Sequence, residues 1–171
     1  MPGVHSAAGG CALVLRHALR VALPAAGVAW ILSSTTGPLN AQPQPADFDA
    51  LRQQFERRGY PVREDHPRCQ SEPDLYGLYI RGRRFVVVCQ RGNRAETLLH
   101  EGWHLVQSLC LRGEAWLDDR AIEDKLSRQD HRELTVLVQP SRWRREAEAR
   151  AMAYLSAESY FAAMDRACRR G

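Results

Sequence analysis

The stretch from Thr97 to Gln107, Thr-Leu-Leu-His-Glu-Gly-Trp-His-Leu-Val-Gln, constrains this chain more than any other. It contains His-x-x-x-His with a glutamate directly after the first histidine. Two imidazoles four residues apart share one face of an α-helix and can reach a single ion, usually zinc. Glu101 stands about 100° around the helix from His100, which brings its carboxylate beside a water on that ion. From Ala95 to Cys110 the helix is apolar almost all round, through Leu98, Leu99, Trp103, Leu105, Val106 and Leu109. One polar stripe interrupts it: Thr97, His100, Glu101, His104 and Ser108. A buried helix carries such a stripe only with a partner, because unpaired buried polar groups are costly. Zn2+ and its water supply one. The competing reading is a core helix whose histidines are satisfied by ordinary hydrogen bonds. Trp103, inside the motif, is expected to pack in the core.

Two histidines leave a catalytic zinc one protein ligand short. The third is sought in the helix that starts at Pro140-Ser141 and runs to Leu155, which carries Glu146-Ala147-Glu148-Ala149. Glu146 shares its face with Arg142 and Arg150, the pattern of an exposed charge ladder. Glu148 lines up with Met152 and Leu155, and a carboxylate on an apolar stripe needs a cation. Glu148 is therefore the expected third ligand, and Glu146 a surface or supporting residue. The alternative partner for Glu148 is an arginine. Alanines at 147, 149, 151 and 153 permit close approach to the histidine helix.

His-Glu-x-x-His followed on a later helix by Glu-x-Glu-Ala resembles the gluzincin branch of zinc metallopeptidases. The Glu146 to Ala149 spacing resembles that of ImmA/IrrE-type peptidases, and the cysteine arrangement is similar to that of small exported zincin-like proteins. The resemblance covers the two helices, about a third of the chain after its leader. It implies His100, His104 and Glu148 as zinc ligands, Glu101 as general base, and a peptide or protein as substrate. Gly102 departs from the helix-favouring residue usual at that place; it costs helix propensity but allows close packing. No residue matches a recognisable transition-state stabiliser. His131, Tyr154 and Tyr160 are the available donors for an oxyanion.

Residues 1–41 read as a secretory signal: Arg16 and Arg20 precede the apolar run Val21 to Leu32, and small and polar residues end at Ala41. That run is short of the ~20 residues a bilayer span needs. An uncleaved N-terminal anchor is the alternative, and either route delivers residues 42–171 outside the cytosol, secreted or periplasmic, with no membrane span in the mature chain. The formal net charge of +4 is a mild excess, with Lys125 the only lysine, and does not predict nucleic-acid binding. The Arg81, Arg83, Arg84 cluster reads as a solvated hairpin tip, with an anionic partner as the alternative. Beyond the leader four cysteines remain, Cys69, Cys89, Cys110 and Cys168, an even number that reads as two disulfides in an exported domain. Three pairings are open; Cys69 with Cys89 and Cys110 with Cys168 is favoured, because it ties a hairpin's entry to its exit and the histidine helix to the C-terminus.

The expected fold is α+β and zincin-like: one domain over 42–171, with a small antiparallel sheet on the histidine helix and a further helical part at the C-terminus. Asp47 caps a helix over 48–58, and 60–64 is a strand candidate. Strands over 75–80 and 84–89 form a hairpin about Gly82, the second covered on both faces because Phe85 to Val88 is continuously apolar. A helical stretch spans 118–127, a less clear segment 132–138, and Tyr160, Met164 and Cys168 mark an amphipathic C-terminal helix. Two rivals to the hydrolase remain, a non-catalytic zinc-binding domain and a disulfide-stapled interaction module.

Overall fold

In the computed structural model, residues 47–170 are described; the signal reading over 1–41 lies outside them. Helix α1, Phe48–Arg57, begins where the Asp47 carboxylate accepts from the Asp49 N–H at 3.0 Å, and it buries Leu51 and Phe55. Gly59, at φ 76°, turns the chain out of it in the left-handed region that glycine enters freely. Strand β1 follows as Val62–Arg63, then a short helix α2, Pro67–Ser71. The hairpin is β2, Gly77–Tyr79, and β3, Val86–Val88.

The sheet order is β1-β3-β2, with β3 central. β2 pairs with β3 antiparallel, but β1 pairs with it parallel, Val62 opposite Val86, so the sheet is mixed rather than antiparallel throughout. Residues 64–85, with α2 and β2 among them, separate β1 from β3, a connection long enough for the chain to return parallel to β1. All three valines of β3 are fully buried, as the apolar run required. Val86 and Val88 join the main core, while Val87 packs with Cys69 and Cys89 on the opposite face.

Helix α3, Arg94–Leu109, carries the histidine motif and packs most extensively against helix α6, Pro140–Ala153. Between them the chain forms α4, Asp119–Glu123, and α5, Arg128–Leu137. The expected stretch 118–127 is helical only over α4, and Ser127 instead starts α5, where its hydroxyl and Asp130 cap each other reciprocally. Helix α7, Ala157–Arg170, closes the core with Tyr160, Phe161 and Met164. Helix α6 is buried on two sides: Ala149, Met152 and Ala153 face α3, whereas Ala147 and Ala151 face Ile122, Leu126 and Leu134. Only side chains as small as alanine let it be sandwiched so tightly.

Disulfides join Cys69 to Cys89 and Cys110 to Cys168, the favoured pairing. Two such bonds are what an oxidising environment outside the cytosol sustains. Among the described residues no helix is long and apolar enough to cross a membrane.

Candidate metal centre

One turn of α3 separates His100 from His104, and their rings stand nearly perpendicular, centroids 4.8 Å apart. Across from them, α6 supplies a carboxylate. It belongs to Glu146, whose Oε2 lies 3.0 Å from His104 Nε2 and 3.5 Å from His100 Nε2. The ligand atoms of these three residues all lie within 4.8 Å of one another, a set able to hold one metal ion.

Glu148, the expected third ligand, is not beside the imidazoles. Residues two apart on a helix point about 200° from each other, so Glu146 and Glu148 cannot face one ion together. Glu148 is 1% exposed, and four N–H groups saturate its carboxylate. Oε1 accepts from Trp103 Nε1 at 2.9 Å and Gln107 Nε2 at 3.0 Å; Oε2 accepts from the backbone N–H of Trp116 at 2.8 Å and of Leu117 at 3.0 Å. The apolar stripe did mark a carboxylate in need of partners, but neutral donors satisfy it, and no arginine among the described residues pairs with it.

Glu148 acts on the site through Gln107, a buried residue that nothing in the pattern singles out beyond its place three residues after His104. Gln107 Nε2 donates to Glu148 and to the Arg145 carbonyl, which fixes the amide's orientation. Its oxygen therefore faces His104 Nδ1 at 2.8 Å and accepts a hydrogen bond from the Nδ1–H. The remaining nitrogen, Nε2, then points its lone pair at the Glu146 oxygen. Two acceptors at 3.0 Å repel unless a cation sits between them, and either a proton or a metal ion meets that need. Without a metal, protonation of His104 meets it. Burial penalises the His104 imidazolium, but the Glu146 carboxylate more than offsets this and raises its pKa. Burial likewise opposes the Glu146 anion, and the two imidazoles outweigh it, holding this carboxyl well below the usual range.

Glu101 is half-buried beside His100, and both line a cavity of about 430 Å3 together with Gly77, Thr97 and Arg150. A Cβ on Gly77 would meet Thr97 Cγ2 at 2.5 Å and the Val87 carbonyl at 2.8 Å, so only glycine lets edge strand β2 lie this close to α3. Arg150, one turn beyond Glu146 on α6, is held from behind by Asp130 at 2.9 Å and Glu133 at 2.6 Å.

None of the three oxyanion donors considered from sequence joins this group. Tyr160 is fully buried and donates to the Leu99 carbonyl at 2.8 Å. Tyr154 donates to Asp130 at 2.7 Å. His131 pairs with Glu123 at 3.0 Å and stacks on Trp143. Trp103 is fully buried, as expected, although its indole N–H serves Glu148. Comparison of the chain with protein-family models, with curated proteins and with solved structures returned no match in any of the three.

Proposed function

We propose that the chain is an exported zinc-dependent peptidase of zincin-like architecture, with His100, His104 and Glu146 as ligands and Glu101 as general base. The observation that carries this is the convergence of the three donor atoms within 4.8 Å, with Glu101 on the next position of the same helix. Two neutral imidazoles and a carboxylate are the donor set of a catalytic zinc with an open fourth position. Bound there, zinc supplies a Lewis acid that polarises a carbonyl and brings the pKa of water toward ~7.

The protein groups divide the remaining work. Glu101 accepts a proton from the attacking water at a carboxylate oxygen and returns it to the leaving amine nitrogen. Gln107, held by Glu148, keeps the His104 Nδ1 proton in place and so keeps Nε2 bare for the ion. β2 offers backbone N–H and C=O groups at a sheet edge beside Glu101, which suits an extended peptide bound by main-chain pairing. Export is supported by the two disulfides and by the signal-like pattern of residues 1–41.

The deciding experiment measures zinc stoichiometry and hydrolysis of a mixed peptide library by wild type and Glu101→Gln. One zinc per chain is expected in both, with hydrolysis reduced about 10²- to 10⁴-fold in the variant. Zinc at full stoichiometry with no hydrolysis by wild type would assign the chain to the non-catalytic zinc domains. A stoichiometry near zero would leave the disulfide-stapled interaction module.

A further inference from the structure

A second cavity, about 530 Å3, is larger than the one beside Glu101. It lies farther along the groove between α3 and α6, where Gln107 and Ser108 near the end of the one helix meet Ser141, Arg144 and Arg145 at the start of the other. Two more arginines line it from separate segments, Arg81 from the loop between β2 and β3 and Arg112 from the loop after α3. The opposing charges are Glu114 and Glu148, and the second is already saturated by four N–H donors.

Three independent parts of the chain thus bring four guanidinium groups to one concave surface. Like charges gathered this way repel unless counter-charge accompanies them. For Arg81 and Arg145 no carboxylate among the described residues supplies it. Arg144 is committed to Asp119 at 2.8 Å and to the Leu117 carbonyl at 2.7 Å. Arg145 uses only Nε, donating to Gln107 Oε1 at 3.2 Å, which leaves both Nη groups without a partner among the described residues. Among those residues the Arg81 side chain has no ion pair or hydrogen bond either.

We propose that this cavity binds an oxyanion of metabolite size, bearing phosphate, sulfate or several carboxylates. Guanidinium forks match the paired oxygens of such groups, and the Ser108 and Ser141 hydroxyls add donors at the same wall. The volume lies within the range of small-molecule sites. Arg81 thereby acquires a purpose that a solvated hairpin tip would not give it. The site adjoins the candidate metal centre, since Gln107 Oε1 accepts from both His104 Nδ1 and Arg145 Nε. The assignment stands whether or not the chain is a peptidase.

The test is calorimetric titration of the full, disulfide-bonded, metal-free chain with inorganic phosphate, sulfate and citrate, at ionic strength fixed with chloride. Saturable binding of at least one is expected, and the tightest of the three identifies the source of the charge. Arg81→Ala and Arg145→Ala should each weaken it about tenfold or more. Arg83→Ala removes the same charge from the hairpin outside the cavity and should leave the affinity within about twofold. Should Arg145→Ala fail to fold, Arg145→Lys keeps the charge but loses the fork, and is expected to weaken binding as well. Heats that never saturate, or an Arg83→Ala loss equal to that of Arg81→Ala, would overturn the site in favour of unspecific charge screening.

Discussion

About 200° of helix rotation separates Glu146 from Glu148, and the two carboxylates have opposite duties. Glu146→Gln should reduce zinc affinity by about a hundredfold or more, because it removes one of the three proposed ligands, and should lower metal-free stability chiefly between pH 4.5 and 6.5, where it ends the pairing with His104. Glu148→Gln should show the reverse emphasis. Its new amide group must face N–H donors, so unfolding free energy falls by about 3 kcal/mol, and zinc affinity falls only about tenfold through the loosened Gln107. Competitive zinc titration and urea unfolding of both variants separate the roles; equal effects on zinc would remove the distinction drawn here. The helix wheel identified Glu148 as the carboxylate needing partners, and that much was legible. It assumed that those partners had to be a cation. The donors at Trp116 and Leu117 are backbone groups of a loop, which no periodicity reveals. Glu146 looked like a surface residue because Arg142 and Arg150 flank it at i−4 and i+4, yet Arg150 is turned toward Asp130 and Glu133.

At the scale of elements, the packing of α3 depends on what it lacks. Gly102, between the two histidines, is buried, and a Cβ there would run into the Phe55 ring of α1 and lie 2.9 Å from the Tyr160 hydroxyl of α7. Phe55 and Tyr160 are both fully buried and engaged with each other and with Phe161, so neither can give way. Gly102→Ala gains about 1 kcal/mol in helix propensity but overpacks a dense core at a cost of about 1–3 kcal/mol. A net loss of stability in urea is therefore expected, and a gain would show that the three helices can separate. The same logic explains which elements could be read in advance. α1 and α7 announced themselves because each buries one face, α3 because a single polar stripe interrupts an otherwise apolar helix, and β3 because it is apolar throughout. α6 is covered on both sides by alanines, so its wheel carried little directional information. β1 gave no sign of its parallel pairing, which is set by the path of the chain through α2 rather than by side-chain alternation.

For the whole molecule, the pairing between α3 and α6 couples folding to protons and, on the proposed reading, to zinc as well. In metal-free protein the His104 pKa is raised above its ordinary 6.5, burial being outweighed by Glu146; its contribution to stability is whole below 6.5 and fades as pH rises through the raised value. Glu146 is depressed below its ordinary 4.5, burial being outweighed by the two imidazoles; its contribution is whole above 4.5 and fades as pH falls through the depressed value. Together they stabilise the metal-free chain most between 4.5 and 6.5. Zinc must displace the proton on His104 Nε2, so its stabilising effect grows in the opposite direction, toward higher pH. With free zinc at about a hundred times the Kd measured at pH ~7.5, unfolding free energy should rise by about 2.7 kcal/mol over the chelated protein at that pH, and by far less at pH ~5. Glu146→Gln should flatten both profiles, since it removes the anion that holds either cation. Thermal unfolding with zinc and with chelator across this range is the measurement. A zinc effect of the same size at both ends would mean that the ion binds somewhere other than between these two helices.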